Sequence, residues 1–133
     1  MSALSDWLRI PYLAHGRDLS GCDCWGLARL ARHALRGDWL PSHGAIDPDD
    51  KAAMTEVAGQ MVGAGFRECS PRPGALAAIW RGQLCLHVAI VIEAEGRLAV
   101  LETNRATGPR WMRIKDFEAC YLRVTYHDSD LPL

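Results

Sequence analysis

Cys24 is the residue of this sequence best placed to act as a nucleophile. The apolar side chains that follow it recur at the spacing of a helix with one buried face: Leu27, Leu30, Ala31, Ala34 and Leu35. Asp23 is a suitable N-cap, because its carboxylate can accept hydrogen bonds from the unpaired N–H groups of the first turn. Cys24 is therefore predicted at the positive end of the helix dipole, which favours the nucleophilic thiolate.

Two considerations oppose a catalytic role for this cysteine. The neighbouring carboxylate of Asp23 disfavours a second anion, so the thiol would need a partner base. Cysteine is also among the most buried residue types, and a lone cysteine on an apolar helical stripe is commonly a small core residue. The assignment of Cys24 as a nucleophile thus depends on a base elsewhere in the chain.

His87 is the candidate base. It lies within Leu84 to Glu93, where the alternation of side chains predicts a strand with two mostly apolar faces. A histidine in such a strand is either a core residue with its hydrogen bonds satisfied or a base held on a rigid element. Ala89 follows on the same face and is small, which leaves room for the end of a helix to approach His87.

Glu102 is the candidate third residue of the site. A tight turn over Glu93 to Gly96 predicts that Arg97 to Asn104 returns as the antiparallel partner strand. A carboxylate on that strand could accept a hydrogen bond from the imidazole and fix its tautomer. Glu102 could instead be an exposed strand residue. Asn104 shares its face, and is better explained as a turn former before the loop that follows.

The order of elements predicts an α+β fold. We expect three helices first: a short one over Ser5 to Ile10, the Cys24 helix to about Leu35 with Gly37 as its stop, and one capped by Asp47 that opens at Pro48 and ends at Gly63. Strands are predicted near 75–80, 84–93, 97–104, 110–114 and 121–127. These segments predict one domain over residues 1–133, with N-terminal helices packed on an antiparallel sheet of about five strands.

Composition excludes several classes of protein. Fifteen basic and sixteen acidic residues in 133, without a basic cluster, indicate neither a nucleic-acid partner nor an anionic membrane surface. The longest apolar runs are too short for a membrane span, and the N-terminal residues lack the pattern of a secretory signal, so we expect synthesis in the cytoplasm. The five cysteines and five histidines show no metal-ligand spacing. No metal or cofactor is therefore expected.

The sequence resembles the NlpC-type cell-wall cysteine peptidases. The residues that carry the resemblance occur in the family's order: Pro11-Tyr12, Gly16, Gly21, Asp23-Cys24, Gly26-Leu27, Pro73-Gly74 and His87-Val88-Ala89-Ile90. The resemblance implies a papain-like fold and a catalytic triad of Cys24, His87 and Glu102. The Cys24 N–H and the Tyr12 hydroxyl would stabilise the oxyanion. The implied substrate is a peptidoglycan stem peptide, typically cut between D-glutamyl and diaminopimelate residues.

The match is closest to the phage-tail branch of that family, in which a Trp follows the Cys as Trp25 does and an Arg-Asp pair precedes it as Arg17-Asp18 does. This branch implies phage tail-tip proteins as partners and a location in the virion tail, acting at the cell wall. Glu102 departs from the pattern, since histidine is commoner there. Two alternatives stay open: a structural tail-tip or assembly protein with a slow or idle site, and an amidase or acyltransferase acting on another substrate.

Overall fold

The computed structural model describes residues 3–43, 47 and 49–129. Within these residues the chain forms four helices and eight strands. In chain order they are α1 (Ala3–Trp7), β1 (Arg17–Asp18), β2 (Gly21–Cys22), α2 (Cys24–Arg36), α3 (Lys51–Gly63), β3 (Arg67–Cys69), β4 (Leu76–Arg81), β5 (Leu84–Ala94), β6 (Arg97–Glu102), β7 (Arg110–Arg113), α4 (Ile114–Ala119) and β8 (Arg123–Asp128). None of the described helices has the length and apolar character needed to cross a bilayer.

Helix α2 begins and ends where the sequence predicts. The Asp23 carboxylate accepts a hydrogen bond from the Gly26 N–H at 2.9 Å, and Gly37 adopts the left-handed conformation with φ 84° at the other end. Gly26 also lets the preceding loop lie against the helix. A Cβ atom at that position would stand 2.1 Å from the Gly16 carbonyl oxygen. The loop and the start of α2 are therefore locked together by close backbone contact.

Helix α3 begins later than predicted. Its N-cap is Asp50, whose carboxylate accepts from the Ala53 N–H at 3.1 Å. The Asp47 carboxylate instead accepts from the Asp49 N–H, two residues on, at 2.9 Å. That local turn occupies the Asp47 side chain, so Asp50 takes the capping role. Pro48, the predicted first helical residue, lies outside the described residues.

The main sheet is antiparallel, with strand order β3-β8-β4-β5-β6-β7. It has six strands where about five were predicted, because the short strand β3 adds an edge by pairing with β8. Helix α4 is a further element that the sequence pattern did not indicate. The five predicted strands are all present.

The two faces of the sheet bury different clusters. Val88, Ile90 and Ile92 of β5 pack against α1, α2 and α3, whereas Ala89 and Val91 pack towards α4. This alternation agrees with the sequence except at Leu86, which packs on the α4 side. A register shift between β4 and β5 lies at this point, where Trp80 pairs with Cys85 rather than with Leu86. The start of β5, where His87 lies, is thus irregular.

Candidate functional site

A small cleft of about 80 Å³ at the N-terminal end of α2 brings together three of the predicted site residues, Tyr12, Cys24 and His87. Its lining comprises Tyr12, Cys24, Asp49, Lys51, Leu86, His87, Thr103, Asn104 and Arg105. Cys24 is the first residue of α2, and His87 lies near the start of β5. The helix end thus meets the strand end, and the candidate nucleophile faces the candidate base.

The Asp23 carboxylate, whose charge would disfavour a thiolate at Cys24, is neutralised by its own partners. The Asp23 carboxylate is fully buried and accepts hydrogen bonds from the Gly26 N–H, the His15 N–H at 3.1 Å and Arg17 Nη1 at 2.6 Å. Arg17 therefore supplies a counter-charge to the carboxylate beside Cys24. The sequence offered one signal for this contact, since Arg17 precedes the helix in the loop that must fold onto it.

The hydrogen-bond partner of His87 is Glu102, whereas the Asn104 side chain bonds within its own turn. The His87 Nε2 atom lies 2.9 Å from Glu102 Oε1. The Asn104 side-chain oxygen instead accepts from the N–H groups of Ala106 and Thr107, both at 2.9 Å. Glu102 is the last residue of β6, whereas Asn104 lies beyond the strand and its side chain stabilises the following turn.

The Glu102 carboxylate has two further donors that sequence reasoning missed. Arg110 Nε donates to Oε2 at 2.8 Å, and the Tyr121 hydroxyl donates to Oε1 at 2.7 Å. Arg110 stands directly opposite Glu102 in the β6–β7 pair. The sequence predicts a strand at 110–114. Because a loop separates the two strands, the sequence does not show which residue of that strand pairs with Glu102. Nothing in the sequence pattern marked Tyr121.

The hydrogen bonds of the cleft set the charge of His87. Burial by itself would lower the pKa of His87, but its hydrogen bonds to Cys24 and Glu102 outweigh this effect and raise the pKa to about 9. Burial would conversely raise the pKa of Glu102, but the donors His87, Tyr121 and Arg110 hold it below its usual value. At neutral pH the imidazole is therefore protonated and the carboxylate ionised, which suits a thiolate–imidazolium pair with Cys24.

The rim of the cleft carries charges of both signs. Arg105 Nη2 lies 3.1 Å from Asp49 Oδ2, and both side chains are largely exposed. The Arg105 guanidinium also lies over the Tyr12 ring, 5.4 Å from its centroid. Burial and the charge of Cys24 raise the pKa of Tyr12, so its hydroxyl is protonated at neutral pH and can donate a hydrogen bond. These groups surround the position that a substrate would occupy.

Other parts of the structure fit catalysis or metal binding less well. Across the described ranges, no cluster of three or more His, Cys, Asp and Glu side chains could hold a metal ion. A larger cavity of about 240 Å³ lies between α3 and β4, but its lining is almost entirely apolar. We therefore place the candidate chemistry in the smaller cleft, which is lined by the Cys24 thiol and by the His87 imidazole that contacts the buried Glu102 carboxylate.

Comparison with known proteins shows a similarity of fold. No protein-family model matches the sequence, and no curated protein matches it. The fold is similar to the crystal structure of the NlpC/p60 domain of the peptidoglycan hydrolase SagA, with a TM-score of 0.58 and 16% identity, over 95% of this chain and 92% of that chain. The chain therefore has the α+β fold of NlpC/p60 domains, as the sequence predicts.

Proposed function

We propose that this protein is an NlpC-type cysteine peptidase that hydrolyses an amide bond in peptidoglycan stem peptides. The observation that carries the proposal is that Cys24 and His87 line one cleft of this fold, and that His87 Nε2 lies 2.9 Å from the buried Glu102 carboxylate. A thiol beside a base that is in turn held by a third group is the arrangement needed for covalent acyl transfer. The likeness to a peptidoglycan hydrolase domain and the sequence motifs support this substrate class.

The reaction follows from the geometry of these groups. The Cys24 thiolate attacks the amide carbonyl, and the negative charge that develops on oxygen is stabilised by the Cys24 backbone N–H and the Tyr12 hydroxyl. The His87 imidazolium gives its proton to the leaving amine, and a thioester remains on Cys24. His87, now neutral, takes a proton from water, the hydroxide attacks the thioester, and the carboxylic acid product leaves. The thiolate and imidazolium are thereby restored.

The proposed bond is that between D-glutamyl and diaminopimelate residues, and the proposed setting is a phage tail. Both come from the motif resemblance, the second through Trp25 and the Arg17-Asp18 pair. Delivery by a virion tail, with tail-tip proteins as partners, would carry a chain made in the cytoplasm to its substrate in the cell wall.

Purified peptidoglycan that contains diaminopimelate provides the test. We expect incubation with the protein to release fragments with new termini at one stem-peptide bond, identified by mass spectrometry of the soluble products. The Cys24→Ala and His87→Ala variants should release none of them. A wild-type protein that is folded, whose Cys24 is intact, and that yields no new terminus would contradict the proposal and favour the structural alternative.

A further inference from the structure

Glu102 is a buried carboxylate held by donors from three different elements. Its side chain has no exposed area, and the donors are His87 on β5, Arg110 on β7 and Tyr121 in the connection between α4 and β8. A buried carboxylate without such partners would be costly, and it would take up a proton instead of staying ionised. The number of donors therefore matters for the state of Glu102.

The charge of His87 changes during the proposed reaction. His87 is an imidazolium when Cys24 attacks, and a neutral imidazole after it has protonated the leaving amine. If His87 were the only cation beside Glu102, the buried carboxylate would lose its counter-charge at that step. Arg110 is permanently charged and lies 2.8 Å from Glu102 Oε2, so it maintains a counter-charge in both states.

Tyr121 restricts the position of the oxygen that faces His87. Its hydroxyl donates to Oε1, the same oxygen that contacts His87 Nε2. The Tyr121 ring is itself held, with its centroid 5.0 Å from that of Phe117 and 6.1 Å from that of His87. Phe117 is fully buried, so this contact anchors Tyr121 to the core on the α4 side of the sheet.

We infer that Arg110 and Tyr121 are positioning residues, which keep Glu102 ionised and directed at His87 through the whole reaction cycle. This inference rests on the proposed function for its catalytic meaning. Both residues act through Glu102, and neither lines the cleft. They also moderate the base, because each donor that shares the carboxylate weakens its attraction for the imidazolium.

The groups that set the protonation of His87 come from several elements. Cys24 faces it from α2 and Glu102 from β6, and Glu102 is in turn contacted by Arg110 and Tyr121. Tyr12, Asp49, Lys51 and Arg105 line the same cleft. In the resting state, removal of Arg110 or of Tyr121 leaves Glu102 two other donors, the imidazolium among them, so it stays ionised. Its charge is then shared by fewer groups and pairs more strongly with the imidazolium, so the pKa of His87 should rise.

The test is an NMR titration of the His87 ring nitrogens in the wild type and in matched variants. From a midpoint near 9, we expect Arg110→Met to raise it by about 0.5 to 1 pH unit and Tyr121→Phe to raise it by a smaller amount. Arg110→Lys keeps the charge and should return the midpoint close to that of the wild type. The control is Arg123→Met. Arg123 is an exposed residue of β8 whose guanidinium lies over the Trp80 ring, and its replacement should leave the His87 midpoint unchanged.

Activity provides a second readout. We expect Arg110→Met and Tyr121→Phe to lower kcat on a stem peptide by at least about tenfold, because small displacements of a base are costly. Unchanged His87 midpoints in both variants, with circular dichroism showing an intact fold, would overturn the inference. If Arg110→Met does not fold, Tyr121→Phe decides it alone. Failure of the wild type to cleave peptidoglycan would contradict the proposed function, whereas the titration would still test the control of His87.

Discussion

Replacement of Glu102 by Gln tests whether the carboxylate supports the charge of His87. The substitution preserves the length and shape of the side chain, and its amide oxygen can still accept from His87 Nε2. It removes the negative charge, and because His87 and Tyr121 share one oxygen, its NH₂ group must then take the place of Oε2 and face the donor Arg110. We expect the fold to survive, because Arg110 is partly exposed and can turn towards water.

The size of the effect follows from the pKa of His87. The ordinary value is 6.5 and the value in the folded protein is about 9, a gap of about 3 kcal/mol at 1.36 kcal/mol per pH unit. Cys24 and Glu102 both contribute to it. Loss of the Glu102 charge should therefore lower the pKa of His87 by about 1 to 1.5 pH units.

The sign of the pH dependence is fixed by this direction. His87 acts as an imidazolium, which is present below its pKa, so in the wild type kcat/KM should fall as the pH rises through about 9. In the Glu102→Gln variant this alkaline limb should move to lower pH. The rate at neutral pH should also fall, by about two to four orders of magnitude, because the imidazole loses its orienting group.

Two measurements check this expectation. The first is the pH profile of kcat/KM on a synthetic stem peptide, and the second is the pH profile of Cys24 alkylation by iodoacetamide, which needs no substrate. Asn104→Ala is the matched control, since Asn104 lies two residues on and its side chain stabilises the turn. The reasoning would be refuted if Glu102→Gln kept the full rate and the alkaline limb near 9 while Asn104→Ala lost activity.

Three further predictions concern the support of the site. Gly26→Ala should reduce the free energy of unfolding in urea by more than about 2 kcal/mol, because its Cβ would meet the Gly16 carbonyl oxygen at 2.1 Å, whereas Gly59→Ala, in open space on α3, should be neutral or stabilising. Asp128→Asn should reduce the free energy of unfolding by about 3 to 5 kcal/mol in the same assay, since it weakens the ion pairs of the buried Asp128 carboxylate with Arg32 and Arg72; a loss below about 1 kcal/mol would contradict this. Peptide mapping should show that iodoacetamide labels Cys24 faster than Cys85, since burial raises the pKa of the Cys85 thiol to about 11; equal rates would favour a core role for Cys24.

The elements that carry the candidate nucleophile and base could be predicted because their signals are local. The apolar stripe of α2, its Asp23 cap and its Gly37 stop all lie within fifteen residues of one another. The alternation along β5 and the turn that follows fix which face His87 occupies. Glu102 could be preferred over Asn104 for a similar reason, because one residue belongs to the strand and the other begins a turn.

The remaining parts of the site depend on contacts between distant segments. Arg17 reaches Asp23 only after the loop folds back onto α2, and Tyr121 reaches Glu102 from beyond α4. The short strand β3 and the register shift at Leu86 likewise depend on pairing with strands elsewhere in the sheet. A pattern of apolar residues records which face of an element is buried, but it does not record which partner the element meets.

Glu102, the third residue of the candidate site, could be chosen from the sequence, but its burial depends on a partner from a distant segment. In the family that the sequence resembles, histidine is commoner at the position of Glu102, and a neutral histidine needs no counter-ion when it is buried. A glutamate at the same place is compatible with burial because Arg110, opposite it on β7, donates to Oε2, and Tyr121 donates to Oε1, the oxygen that also contacts His87. Glu102 and Arg110 therefore form one ion pair, and the substitution of either affects the other. A Glu102→His substitution alone would leave Arg110 facing a neutral ring, and the matching change at Arg110 would be needed to restore the site.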